Sequence, residues 1–189
     1  HRKVYNAHIR TVMEESLNIS IIESKVDQLQ NLVANAALSD MNQLFGSQQY
    51  YTNVDAPFII PNVFATAGIL PSIEARASYL SGLSELSGIP PTILNSDVSH
   101  IGDSAFVTSQ VSNATQVDLM VTTSPYNSKF KSFEMYDNGT NGDQNSGDGI
   151  FTRALPFQDG IAEVKYYIRT QNADAITLDP VRAEYEFYI

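Results

Sequence analysis

The segment 137–149 holds the residues of this chain best suited to chemistry, because it supplies three aspartates and three asparagines threaded by glycines. Calcium takes six to eight oxygen ligands, and carboxylates, side-chain amides and backbone carbonyls all provide them. Close spacing along one loop lets several such oxygens converge on a single ion. The segment therefore predicts a Ca²⁺ site whose candidate ligands are Asp137, Asn141, Asp143, Asn145 and Asp148.

The same segment has a second interpretation, as a long hairpin loop that binds no metal. On the EF-hand grid Asp137 takes the first position and Asp148 the last, but Gly139 stands where a third-position ligand is needed, and the flanking sequence alternates as strands do. Aspartate and asparagine also bond to nearby backbone amides, and glycine supplies positive φ. Both interpretations stay open.

The other polar residues form no pattern that predicts catalysis. The chain has no cysteine, which excludes disulfides and thiolate chemistry. Its histidines, His1, His8 and His100, lack the i, i+4 spacing of a helical zinc site. No nucleophile elbow, P-loop or dinucleotide fingerprint occurs in the sequence. We therefore expect that the chain is not an enzyme.

Charge and hydropathy argue against two classes of partner. The formal net charge is −10, whereas binding to nucleic acid phosphates needs clustered Lys and Arg. No run approaches the roughly 20 consecutive apolar residues that a membrane helix needs. We expect neither nucleic-acid binding nor a membrane span.

The clearest element of the first half is an amphipathic helix after residue 20. Ser20 and Glu23 are spaced as a capping box, which predicts the start of the helix. Apolar residues then recur at spacings of three and four, as one face of a helix requires. This stripe consists of Ile22, Val26, Leu29, Val33 and Ala36.

The rest of the first half predicts shorter elements. Spacing of apolar residues and turn signals sets their expected limits. They are a helix within 2–17, a short helix carrying Met41, Leu44 and Phe45, an irregular stretch over 52–68, and a last helix from Pro71 to about Leu86.

Beyond Pro90-Pro91 the apolar period changes from helical to alternating, which predicts strands. Seven short antiparallel strands in about 100 residues are typical of an immunoglobulin- or fibronectin-like β-sandwich. We thus predict an α+β chain with a helical segment over 1–88 and an all-β sandwich over 92–189. The candidate strands are 93–99, 104–112, 116–123, 129–136, 149–156, 162–171 and 182–189.

Three runs in the first half resemble the late helical part of CotH-kinase-type proteins, exported bacterial relatives of the spore coat protein CotH. They are residues 2–15, residues 26–33 and residues 68–80, the last with an ARxxYL ending. The resemblance covers about residues 1–86 and implies that the parent protein is an atypical kinase. No position here matches the nucleotide-binding Lys or the metal-binding Asp of that family, so no catalytic residue is carried over.

The second half resembles the Ig-like modules that often follow in exported bacterial proteins. Residues 135–139, 147–151 and 164–168 are similar to the pattern M-x-D-D-G…G-D-G-x-Y…V-x-Y-Y-I of those modules. Asn138 replaces the second Asp of this pattern and Phe151 replaces the Tyr. The first replacement removes one potential cation ligand.

Together these observations predict a non-catalytic structural or interaction fragment of a secreted or cell-surface bacterial protein. The helical part would complete a kinase-like fold, and the sandwich would act as a spacer or binding module. The expected partner is an upstream kinase-like lobe of the same parent, another cell-surface protein or a glycan. The alternative is a calcium-dependent adhesion or carbohydrate-binding module.

Overall fold

The chain has a mixed α+β fold that divides into two compact units. The structure is a computed structural model that describes residues 1–43, 46–101, 104–124, 126, 129–155 and 163–189. One unit comprises residues 10–87, and the other comprises residues 1–9 with 88–189. The first nine residues thus group with the β-rich part, whereas the sequence analysis assigned them to the helical segment.

Residues 10–87 contain most of the helical structure. Helix α1 (Arg2–Glu15) begins in the other unit, and α2 (Ile19–Ser39), α3 (Ser47–Thr52) and α4 (Ile69–Ser81) follow, with a 3₁₀ turn at Ser84–Leu86. The predicted capping box is wrong. Asn18 is the N-cap of α2, and its side-chain oxygen accepts from the Ser20 amide at 3.1 Å. Asn18 takes the N-cap position because its short side chain can accept a hydrogen bond from an unpaired amide of the first turn.

Two strands form where the sequence analysis expected irregular structure. They are β1 (Phe58–Ile60) and β2 (Phe64–Thr66), which pair antiparallel. The Pro61-Asn62 signal marks their connecting turn, since Val63 N–H donates to Ile60 O at 3.1 Å and Asn62 has a φ of 62°. Pro followed by a positive-φ Asn is the signature of a type II turn.

The limits of two other predicted helices also change. The last helix ends at Ser81 with Gly82 as its C-cap, so Leu86 lies beyond it in the 3₁₀ turn. Met41 lies in a turn. Leu44 and Phe45 of the expected short helix lie outside the described residues.

The described residues of the second unit form seven strands in two antiparallel sheets. The three-stranded sheet has the order β3-β4-β7, and the four-stranded sheet has the order β6-β5-β8-β9. Six predicted strands overlap β3 to β8, although residues 156 and 162 of those predictions lie outside the described residues. The strands are β3 (Thr92–Ile101), β4 (Ser104–Ser112), β5 (Gln116–Thr122), β6 (Lys131–Glu134), β7 (Ile150–Ala154), β8 (Lys165–Gln171) and β9 (Ile176–Asp179).

The predicted strand over 182–189 is wrong, and β9 was missed. Residues after Pro180 form turns, in which Ala183 N–H donates to Pro180 O at 3.0 Å. Tyr188 then makes an isolated antiparallel bridge with Tyr166. The amides of Ala183, Tyr185 and Glu186 donate to Pro180 O and Arg182 O within these turns, so they are not available for a strand ladder.

Strands β5 and β8 of the four-stranded sheet are buried on both faces. On one face Leu119 and Ile168 join residues of β4 in a hydrophobic cluster shared by the two sheets. On the other face Met120 and Tyr167 pack in a second cluster with Ala7 of α1. The sheet therefore lies between a second sheet and the first turns of α1, which explains why residues 1–9 group with the β-rich unit.

Candidate metal centre

The acidic loop 137–149 connects the two sheets and is anchored at both ends. At its start Tyr136 exchanges two backbone hydrogen bonds with Thr152 of β7, of 3.0 and 2.8 Å. At its end Gly149 O accepts from Val111 N–H of β4 at 2.9 Å. Both ends of the loop are thus fixed to the three-stranded sheet by backbone bonds, which limits where its carboxylates can lie.

Asp137 closes the loop by accepting three backbone amides. Its Oδ1 accepts from Gly147 N–H at 2.6 Å and from Asp148 N–H at 3.2 Å, and its Oδ2 accepts from Gly149 N–H at 3.0 Å. A carboxylate that accepts several amides forms charge-assisted bonds, which are stronger than neutral ones. Asp137 therefore holds the two ends of the loop together through hydrogen bonds to its backbone.

Asp143 is buried inside the loop, with 8% of its surface exposed. Its Oδ2 accepts from Gly139 N–H at 2.6 Å, and its own N–H donates to Thr140 O at 3.1 Å. Its Oδ1 accepts no hydrogen bond from a described residue. One oxygen of this buried carboxylate is thus available to a ligand.

A tight turn over Thr140–Asp143 directs Asp143 inward. Asn141 and Gly142 are its central residues, with φ of 56° and 97°, as in a type I′ turn. Gly142 packs so closely on Phe106 of β4 that a Cβ at this position would lie 2.4 Å from the ring atom Cδ1. Glycine is required here for both the conformation and the contact.

Asp148 completes an acidic triad with Asp137 and Asp143. One oxygen of each carboxylate lies within 4.8 Å of the others. Calcium–oxygen bonds of about 2.3–2.6 Å allow ligands on opposite sides of one ion to be about 5 Å apart. The three carboxylates are therefore close enough together for a single cation to contact one oxygen of each.

The two asparagines proposed as ligands both make side-chain hydrogen bonds within the loop. Asn141 Nδ2 donates to the neighbouring Thr140 Oγ1 at 3.1 Å. Asn145 Nδ2 lies 3.5 Å from Asp148 Oδ2, so this side chain contacts one member of the triad. Of the five candidate ligands, the structure brings together the three aspartates.

A buried polar network on β5 and β8 was missed by the sequence analysis. Asp118 of β5 is only 1% exposed. Arg169 and Gln116 both donate to its carboxylate, and Gln171 in turn donates to Gln116. Alternation assigns a residue to a face of the sheet but does not show what covers that face.

The helical unit contains an apolar cavity of about 730 Å³. Its wall includes Val26, Leu29 and Val33, three members of the predicted stripe on α2. Gln30 and Tyr50 tie α2 to α3 beside it, each side chain donating to the backbone oxygen of the other at 2.8 and 2.7 Å. Three of the five residues of the stripe therefore line this cavity.

The comparisons with known proteins identify no relative. No family model matches the chain, and no curated protein or solved structure matches it significantly. Within the described residues no helix is long and apolar enough to cross a membrane. In the same residues no other group of three or more His, Asp or Glu side chains meets the geometry of the aspartate triad.

Proposed function

We propose that the chain is a non-catalytic interaction fragment of an exported bacterial protein, with an Ig- or fibronectin-like sandwich over 92–189. The observation that carries this proposal is the shared hydrophobic cluster between two antiparallel sheets of orders β3-β4-β7 and β6-β5-β8-β9. Such a module presents loops and edges for binding, while its core serves only stability.

The strand order supports this assignment. Constant-type Ig domains place strands A, B, E and D in one sheet and strands C, F and G in the other. Here β3, β4 and β7 correspond to A, B and E, while β5, β8 and β9 correspond to C, F and G. The remaining strand, β6, pairs with β5, as the added strand C′ of variable domains joins the sheet of C.

The helical unit fits the proposed role of completing a larger fold. Leu29, Leu32 and Met41 are 60, 79 and 98% exposed, and neither α2 nor α4 contains a buried residue. Exposed apolar surface of this kind is typical of an interaction site. Following the CotH resemblance, we propose that an upstream kinase-like lobe covers it.

Turnover assays on the full chain test the non-catalytic proposal. The chain is incubated with ATP, Mg²⁺ and a protein acceptor, and ADP and phosphoprotein are measured. We expect no turnover, because no position of the sequence matches the nucleotide-binding Lys or the metal-binding Asp on which phosphoryl transfer by the resembled kinase family depends. Saturable turnover that co-purifies with the chain and is altered by substitutions within it would refute the proposal.

A second candidate function is calcium-dependent adhesion or carbohydrate binding. The aspartate triad favours it, since three carboxylates share a space of the size that one Ca²⁺ ion needs. Tyr126 and Tyr185, 77 and 85% exposed, offer aromatic faces on which sugar rings stack. A glycan panel with and without Ca²⁺ tests the carbohydrate part.

Calorimetry tests the ion itself. Titration of the chelator-treated chain with CaCl₂ should give saturable heat, and Ca²⁺ should raise the melting temperature. Asp143→Asn removes one negative charge from the triad with little change of shape and should abolish the heat. Asp27→Asn, on the exposed surface of α2, is the matched control and should retain it. Equal heats in both variants would rule out the loop as the calcium site.

A further inference from the structure

We infer that Asn141 is a site of spontaneous deamidation, whereas Asn138, in the same loop and also followed by glycine, is protected. The two Asn-Gly steps share the chemistry that makes asparagine labile, because glycine has no side chain to hinder attack by its own amide nitrogen. They differ in whether the glycine amide nitrogen is hydrogen-bonded. This inference does not depend on the calcium proposal.

The reaction at Asn141 needs only water as co-reactant. The Gly142 amide nitrogen loses its proton to solvent base and attacks Cγ of Asn141. The new N–Cγ bond closes a succinimide ring, the Cγ–Nδ2 bond breaks, and Nδ2 leaves as ammonia. Water then opens the ring at either carbonyl, giving aspartate or the β-linked isoaspartate.

The Gly142 amide is free for this attack. The i→i+3 bond of its turn uses Asp143 N–H, and no described residue accepts from Gly142 N–H. Asn141 and Gly142 are both exposed, so water and base reach them. The Asn141 side chain makes a single bond to a described residue, as donor to Thr140 Oγ1 at 3.1 Å.

The Gly139 amide is held by a carboxylate. Its N–H donates to Asp143 Oδ2 at 2.6 Å, and this bond opposes loss of the proton that attack requires. The Asn138 side chain is fixed as well, since its Oδ1 accepts from both N and Oγ1 of Thr140 at 3.0 and 2.6 Å. Both reacting groups of this step are engaged elsewhere.

Conversion at Asn141 would change the acidic loop. An aspartate adds one negative charge to a chain whose formal net charge is −10. An isoaspartate lengthens the backbone by one atom inside the turn Thr140–Asp143, which positions the buried Asp143 side chain. The modification would therefore act on the same loop as the aspartate triad, slowly and in one direction.

Peptide mass spectrometry of the aged full chain tests the inference. Both asparagines lie in one tryptic peptide, residues 132–153, so fragmentation assigns conversion at each within a single species. In the folded chain we expect conversion at Asn141 to be about tenfold or more faster than at Asn138, the factor that one hydrogen bond to a charged group corresponds to. In urea the two rates should converge, because the structural difference is gone.

Two variants separate the cause from the sequence context. Asn141→Gly keeps the positive φ and should remove the fast conversion. Asp143→Asn weakens the acceptor of Gly139 N–H and should speed conversion at Asn138. Faster conversion at Asn138 than at Asn141 in the folded chain, or the same ratio of rates in folded and urea-unfolded chains, would overturn the inference.

Discussion

The guanidinium of Arg169 lies 2.9 Å from Oδ2 of Asp118, whose side chain is only 2% exposed. The two residues are directly opposed on β8 and β5. Gln116 Nε2 also contacts both oxygens of the carboxylate, at 2.9 and 3.1 Å. The buried charge is thus paired and hydrogen-bonded, as burial of a charge requires.

Removing the cation of this pair should be costly. Arg169→Met leaves the Asp118 carboxylate buried without its counter-charge, and breaking a buried pair in this way costs about 3–5 kcal/mol. We expect the free energy of unfolding to fall by about 3 kcal/mol, the lower end of this range, because the Gln116 bonds remain. The double variant Asp118→Leu/Arg169→Met should be more stable than Arg169→Met alone. Urea unfolding at constant m value measures both.

An exposed ion pair provides the control. Arg182 and Glu186 are 3.0 Å apart at i, i+4, with both side chains about half exposed. Glu186→Gln should change stability by less than about 1 kcal/mol. If Arg169→Met has a similarly small effect, the buried pair does not contribute as argued.

Asp137 should matter more for the acidic loop than Asp148. In Asp137→Asn the amide group places a donor against the N–H of Gly147 or Gly149, whichever way it is oriented. The loop should lose about 1–3 kcal/mol of local stability. Hydrogen exchange of the amides of residues 147–149 measures this directly, and their protection should fall.

Asp148→Asn is the matched variant. The Asp148 carboxylate is exposed and accepts one backbone amide, that of Ile150 at 2.9 Å. Its substitution should leave the protection of residues 147–149 largely unchanged. Equal effects of the two variants on hydrogen exchange would mean that the bonds of Asp137 do not hold residues 147–149 in place.

A pair of glycines tests whether the contact with Phe106 shapes the loop. Both Gly142 and Gly147 have positive φ, 97° and 78°, so alanine is strained at either position. An added Cβ at Gly147 meets nothing within 4 Å, whereas at Gly142 it would lie 2.4 Å from Phe106 Cδ1. Gly147→Ala should cost about 1 kcal/mol and Gly142→Ala about 2–4 kcal/mol. Thermal unfolding of both variants checks the order, and equal losses would contradict the steric argument.

Periodicity predicted the type and position of most elements, because apolar residues recur at the spacing that puts them on one face of a helix or strand. It placed α2 and the strands β3 to β8 correctly. It failed at β9 and at residues 182–189, where Pro180 and local turns override the alternation of Tyr185, Phe187 and Ile189. Backbone hydrogen bonds determine whether such a segment forms a strand or turns, and the pattern of apolar residues does not predict those bonds.

The candidate metal centre was predictable in composition but not in geometry. The loop sequence identified all three clustered aspartates, because hard oxygen ligands are recognisable by type. It gave no means to foresee that the Asn141 side chain donates to the neighbouring Thr140 Oγ1 within a type I′ turn. Asp137 likewise serves mainly to bind backbone amides, a role fixed by the fold of the loop.

The pairing of Tyr166 with Tyr188 predicts a loss of stability at high pH. Their rings are 5.3 Å apart, and Tyr188 Oη donates to Asp179 Oδ1 at 2.8 Å. Burial, with the nearby charges of Asp179 and Asp97, raises the pKa of Tyr166 to about 12. Burial, the bond to Asp179 and the neighbouring charge raise the pKa of Tyr188 to about 12.

The sign of the effect follows from proton binding. An unfolded tyrosine has a pKa of about 10, so between pH of about 10 and 12 the unfolded chain has released protons that the folded chain keeps. This contribution to stability is therefore complete below pH of about 10 and is lost as the pH rises to about 12. Urea midpoints should fall steeply across that window. Tyr188→Phe should reduce this fall of the urea midpoint with pH. Tyr185→Phe, at an 85% exposed position, should not change it. Midpoints that stay level up to pH of about 12 would contradict a stabilising role for the two protonated tyrosines.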